Sequence, residues 1–457
     1  VTGERPHMTV LHRWRDTHAL YSDYIDHQAN RVTYISTELG RASIPADAEA
    51  VVTVVFTDDL PAVRAALTAL AERFGTPQAL VALNEGDLDT AAVVREEFGI
   101  PGQTPDELAV FRDKLLMCRV VAAAGLPVPK SSPAPDPDAV REFGRTHGWP
   151  LIVKPHRGTA SRGVVRLDAE TDLDLYPGLA GDLAAEPYLV QSYVDAPILH
   201  IDGLWEGDAL GGWTASRYVG GTCADFTQGS WLGSVEEDDP ALLAAVEPFT
   251  AAVGAALGGG RPWVFHLEAF VTEGPDGEPA LVFLECGARV GGGEIPFIWR
   301  DVHDADLMAA AADIQLGRAP VLPSPKTGEV GGYLLLPLPV PAPCLVEHAD
   351  WAEEPPEGRK PYAVLHVPVG RRVSPISGYE HVGTRFRFRG PSTTAVGEAI
   401  RASAHGFRLT CVPFDDPAEE PAGESTDQRL GRTHRITCRT GAAPRTGKES
   451  HRARHDL

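Results

Sequence analysis

The chain has 457 residues, room for two to four domains, and its 43% hydrophobic and 23% charged fractions are those of ordinary globular proteins. A formal net charge of -22 argues against nucleic acid and anionic membranes, which need a clustered basic surface. Six cysteines without a C-x-x-C pair give no disulfide framework or structural zinc site, no segment is expected to approach a membrane span, and the polar start lacks a signal-peptide core, so the expected compartment is the cytoplasm.

In chain order, residues 51–56 read as a buried strand, 62–74 as a helix, 79–83 as a strand and 88–98 as a helix. This alternation predicts a parallel sheet with crossover helices, whose ligands gather at the C-terminal strand ends. Asn84-Glu85-Gly86 falls at such an end, so Glu85 is a candidate substrate residue, weighed equally against a solvated loop carboxylate. Residues 106–124 read as one long helix, opened by Pro105 and closed by Gly125 and Pro127, with Lys114 at its centre. The strand 151–154 runs into a polar, glycine-containing loop ending at Gly163. Residues 164–167 return as its partner, and 188–194 form another strand.

A helix over 240–257 precedes two acidic strands, 265–270 and 281–285, joined by a Gly/Pro/Asp loop. A helix near 304–315 follows. Residues 328–412 read as a small α+β unit with strands at 332–336, 363–367 and 385–388 and a helix at 394–404. Beyond 415 large apolar residues become scarce, which predicts a disordered tail through 457.

The chemistry concentrates in the acidic strands. A carboxylate inside an apolar strand is costly to bury unless a cation neutralises it. Glu268 and Glu285 each occupy such a strand, and adjacent antiparallel strands can bring them to one hard cation. Arg289 and the run Gly291-Gly292-Gly293 follow at once, suiting an anionic substrate that approaches backbone amides. Lys154 ends an apolar strand beside Gly158, Ser161 and Gly163, a place for nucleotide phosphates, and it raises the interest of Lys114. The loop alone matches neither the Walker spacing nor G-x-G-x-x-G. His266 is read as a hydrogen-bonded core residue in preference to a catalyst, and Cys286 as a buried structural thiol. Trp205 and Trp213 are expected to pack, and Trp231 with Phe226 is a candidate pocket wall.

Three stretches together resemble the ATP-grasp superfamily of carboxylate–amine ligases over about residues 51–390. They are Arg112-Asp113-Lys114 with the segment 124–129, then Ile152-Val153-Lys154-Pro155 with Gly158, Ser161 and Gly163, and finally His266-x-Glu268 with Glu285-x-x-x-Arg289-x-Gly291-Gly292. The resemblance implies an α/β and α+β multidomain chain of ATP-grasp fold. An N-terminal parallel α/β domain would span 1–104 and a central antiparallel ATP-grasp domain 105–320, with a small α+β lid at about 126–192. A C-terminal α+β lobe would span 321–414.

It also implies ATP and Mg2+ (or Mn2+) as cofactors. Lys114 and Lys154 would hold the phosphates, with 158–163 closing over them. Gln191, Ser192, Tyr193 and Val194 would form the adenine hinge, and His200 or Asp202 would stand in for the family's ribose-contacting glutamate. Glu268 and Glu285 would be the metal ligands, and Arg289, with Lys154, catalytic. Where the family carries an asparagine metal ligand this chain has Gly287, so a water or another carboxylate such as Glu294 would complete the coordination, or one magnesium would be held more loosely. The implied partners are a small-molecule carboxylate and an amine, amino-acid-like, and a homodimer by analogy with the family. The alternatives are an ATP-grasp carboxylase or formyl-phosphate-type enzyme and a non-catalytic nucleotide-binding regulator.

Overall fold

The computed structural model describes residues 5–14, 17–159, 162–222, 225–226, 228–373 and 382–414. The expected disordered tail lies outside the described residues. Among them, the strands form four sheets.

The first sheet is parallel, with β1 (His7–His12), β2 (Arg31–Ser36), β3 (Ala50–Thr53) and β4 (Ala79–Ala82) in the order β3-β2-β1-β4. Helix Leu60–Phe74 crosses from β3 to β4, and helix Glu85–Phe98 follows β4 and packs on the sheet with it, in the alternation the sequence predicts. The expected buried strand at 51–56 is corrected. It is the edge strand β3, it ends at Thr53, and Val55 is 64% exposed. Strands β1 and β2 are buried as β4 is, and their polar residues hide the apolar signal. His7 spends its ring nitrogens on Gly75 O and Thr33 Oγ1, at 2.6 and 2.9 Å, which makes its burial tolerable.

The second sheet is antiparallel: β5 (Ser131–Pro133), β6 (Leu151–Pro155), β7 (Val165–Leu167) and β8 (Tyr188–Ser192), ordered β5-β8-β6-β7. Its core gathers Leu151, Val153, Leu167 and Val190 beneath helix Pro137–His147.

The central sheet contains β9 (Ile198–Trp205), β10 (Leu210–Gly220), β11 (Leu232–Glu236), β12 (Trp263–Glu273) and β13 (Pro279–Gly287). It continues with β14 (Val330–Leu336), β16 (Ala363–His366) and β18 (Thr384–Gly390), in the order β13-β12-β9-β10-β11-β14-β18-β16. All three strands read from the C-terminal stretch therefore extend this sheet. A separate small sheet holds β15 (Cys344–Trp351), β17 (Arg372–Val373) and β19 (Phe407–Pro413), which the sequence reading missed.

Helix Pro240–Leu257 lays Leu242, Val246, Phe249, Val253 and Leu257 against Phe265, Leu267 and Phe283. Contrary to expectation, this 18-residue helix is long and apolar enough to cross a membrane by length and composition, with mean hydropathy 1.5. In the fold it covers one face of the central sheet.

Candidate active site

The acidic strands pair as expected, and Glu268 stands directly opposite Glu285. Beyond that pair the register shifts, with Ala269 facing Phe283, so Leu284 is the extra residue of a bulge. Two carboxylates opposite one another repel unless cations lie close. Lys114 Nζ lies 3.0 Å from Glu285 Oε2 and 3.0 Å from the carbonyl of Gly158. Lys154 is buried at the end of β6, and Glu285, Lys114 and Glu268 are all electrostatic neighbours of its ammonium. All four groups thus converge on one place.

Lys114 reaches it by a route the sequence reading did not foresee. The single helix expected over 106–124 is two helices, Pro105–Arg112 and Lys114–Ala123. Asp113 breaks them apart, extended at φ -92°, ψ 105°, with Oδ1 accepting from the amides of Leu115 and Leu116. An aspartate able to cap ends one helix and starts the next. Lys114 is therefore the first residue of its helix, where a cation opposes the helix dipole, and its amide donates to His156 O at 2.9 Å.

The electrostatics are strongly coupled. Burial pushes the Glu285 carboxyl up, but Lys114, Lys154 and Arg289 outweigh it and hold it well below the usual carboxylate range. Burial lowers the Lys154 ammonium, and Glu285 opposes that. Glu285 still keeps 32% of its side-chain surface, so the carboxylate can be approached.

Arg289 extends the site to the first sheet. Its Nε donates to Glu85 Oε2 at 2.8 Å, while Arg112 Nη1 donates to Glu85 Oε1 at 2.5 Å. Glu85 opens helix Glu85–Phe98 with Asn84 as its cap, so it lies on a helix end and not in the solvated loop considered above. Burial raises the Glu85 carboxyl, and Arg289, Arg112 and Lys114 bring it below its ordinary value. The side chain of Arg289 lies over Gly287, whose missing Cβ would stand 3.3 Å from Arg289 Cγ.

The hinge residues lie at the end of β8. The amides of Ser192 and Tyr193 donate to Lys130 O and Pro150 O, and Arg166 packs 4.1 Å above the Tyr193 ring. Among the described residues the amide of Val194 has no backbone partner, so it is available to an adenine. Gln191 is buried, and its Nε2 donates to Ser131 Oγ at 2.9 Å. Gly163 adopts φ +70° against Pro155 and Tyr188, and Gly158 bears the carbonyl that holds Lys114. Ser161 lies outside the described residues.

Three expectations fail on geometry. His200 is buried with both ring nitrogens engaged, Nδ1 to Asp202 Oδ2 at 2.7 Å and Nε2 to Ser234 Oγ at 2.6 Å, so neither is left for a ribose. Asp202 is likewise consumed, its other oxygen 2.8 Å from His266 Nδ1, which bears out the core reading of His266. Glu294 cannot complete a metal shell, because Arg385 and Arg387 take its two oxygens. Trp231 packs on Gly220 and edge-on to His405, in a different cluster from Phe226. Cys286 is buried as expected, and burial pushes its thiol far up.

The sequence reading also missed Tyr218, whose hydroxyl donates to Glu268 Oε1 at 2.6 Å. No spacing signal points to a tyrosine from another strand. A small pocket borders the histidine network, lined by His200, Asp202, Ser234, Trp299 and Tyr333 among others; none of Lys114, Lys154, Glu268, Glu285 or Arg289 lines it.

A parallel sheet, a small antiparallel sheet and a large antiparallel sheet meeting at paired lysines and paired glutamates define an ATP-grasp fold. In sequence and in fold the chain is similar to ATP-grasp carboxylate–amine ligases. No family model matches it. It is 26% identical over 266 residues to an L-arginine-specific L-amino acid ligase of Bacillus subtilis, a match covering 56% of this chain and 62% of that protein. An L-amino acid ligase from Bacillus licheniformis superposes with a TM-score of 0.68 at 16% identity, over 90% of this chain and 99% of the other. The biotin carboxylase domain of a Hydrogenobacter thermophilus 2-oxoglutarate carboxylase, a dimer in complex with MgADP, ADP and bicarbonate, superposes at 0.64 with 15% identity, over 89% of this chain and 90% of that one.

Proposed function

We propose that this chain is an ATP-dependent ligase that activates a carboxylate as an acyl phosphate and couples it to an amine, with amino-acid-like substrates. The observation that carries the reading is the convergence of Lys114, Lys154, Glu268 and Glu285 beside Arg289. Lys114 and Lys154 would clamp the phosphates, and the amide of Val194 would meet the adenine. Glu268 and Glu285 fit a hard divalent ion, because the donors are carboxylate oxygens on facing strands and the cations on hand favour Glu285. Such an ion, when bound, would neutralise phosphate oxygens.

The substrate carboxylate attacks the γ-phosphorus, the bond to the bridging oxygen breaks and ADP leaves. An amine then attacks the acyl carbon, loses a proton and expels phosphate, leaving an amide. Arg289 orients the carboxylate and stabilises the oxyanion of the tetrahedral intermediate. Glu85 holds the Arg289 guanidinium through Nε, and the likeness to L-amino acid ligases supports amino acids as substrates. The domain bounds given above remain part of this reading. So does a cytoplasmic setting, which fits an acidic chain whose described cysteines are all free. A homodimer is proposed on the same footing, testable by sedimentation.

The test is incubation with ATP, Mg2+ and a panel of amino acids, following phosphate release and product mass. Amino-acid-dependent release with a condensed product is expected. Release driven by bicarbonate alone would point instead to a carboxylase, and nucleotide binding without turnover to a regulator.

A further inference from the structure

The histidine network and Tyr218 have a common geometry. Strands β12, β9 and β10 are neighbours, and His200 on β9 is in register with both Glu268 and Ser216. Tyr218, two residues beyond Ser216, reaches across β9 to Glu268 Oε1, and its ring lies 5.4 Å from that of His200. His200 is fixed by Asp202 and Ser234, and Asp202 by His266. Gly291 closes on this network so tightly that a Cβ there would stand 2.4 Å from Asp202 Oδ1. A satisfied buried polar network is rigid, and here it forms the floor beneath the phenol.

Among the described residues no side-chain cation contacts Glu268, while Glu285 has Lys114. The partner of Glu268 is a neutral hydroxyl, that of Tyr218, on one carboxylate oxygen. We propose that Tyr218 is a positioning residue for a hard divalent cation at Glu268, held in place by the buried His200–Asp202–His266–Ser234 floor. The proposal rests on the metal assignment made above. Partners of this kind orient a ligating carboxylate, and their loss typically weakens metal binding about 10- to 100-fold.

The test measures Mn2+ binding to the full chain saturated with ADP, through the electron paramagnetic resonance signal of free Mn2+. Wild type is compared with Tyr218→Phe, Tyr218→Gln and Glu268→Gln, with unfolding midpoints as a check on folding. Tyr218→Phe is expected to weaken Mn2+ by about 10- to 100-fold. Tyr218→Gln, which keeps a donor, should weaken it less, and ADP affinity without metal should stay at the wild-type value in both. Wild-type Mn2+ affinity in Tyr218→Phe, alongside a loss in Glu268→Gln, overturns this inference and leaves the metal assignment standing. Wild-type affinity in Glu268→Gln as well overturns both.

Discussion

Glu285 and Glu294 are two glutamates on one short stretch of chain, and they meet opposite fates. Glu294 is fully buried, and both of its oxygens are held by Arg385 and Arg387. Glu285 is a third exposed and shares its surroundings with two lysines, an arginine and a second carboxylate. The first arrangement is closed: every charge has its partner within the protein. In the second, charges of both signs crowd an approachable place, as expected where a charged ligand must enter and leave. What separates a structural carboxylate from a chemical one is its neighbours on other strands, which the local sequence does not display.

The contrast can be broken most directly by substituting both residues. Glu285→Gln should cut ATP turnover by about a thousandfold, on the scale of a lost electrostatic partner. Glu294→Gln should act on stability and leave turnover in place. Losing the buried carboxylate that Arg385 and Arg387 share should destabilise the fold by about 3–5 kcal/mol in urea unfolding, with the metal requirement unchanged. If Glu294→Gln instead raises the magnesium requirement, the two glutamates have been sorted wrongly.

Arg289→Ala sharpens the boundary between nucleotide and substrate. It should lower turnover by about a hundredfold while ATP affinity holds. A selective loss of nucleotide affinity would move Arg289 to the phosphates. A smaller effect lies in the acid limb of stability. Glu285 and Glu85 are both held below their unfolded values, so their stabilisation is present above the ordinary carboxylate range and lost as pH falls through their depressed folded values. Lys114→Met removes a cation near both and should flatten the acid limb in unfolding curves collected across pH. An unchanged limb would mean Lys114 does not set these ionisations.

Much of this site was legible because strands keep register. Two apolar runs with one glutamate each, joined by a short loop, could scarcely pair without bringing Glu268 and Glu285 together. Lys154 at a strand end and Glu85 after β4 were legible for the same reason. Lys114 was found through resemblance, and its position was misread because Asp113 resembles any polar residue on a helix until its cap is seen. Glu294, His200 and Tyr218 could not be read. Their roles depend on which strands lie side by side, and residues 328–412 had looked like a unit of their own when three of their strands extend the central sheet.

Everything in the functional account depends on a divalent ion meeting a triphosphate between two facing carboxylates and two ammoniums. Crystals grown with Mn2+ and a non-hydrolysable ATP analogue test this through the anomalous signal of manganese. The account predicts a peak bridging Glu268 and Glu285, with phosphates against Lys114 and Lys154. A peak in the His200–Asp202–His266 cluster, with none between the glutamates, would contradict it.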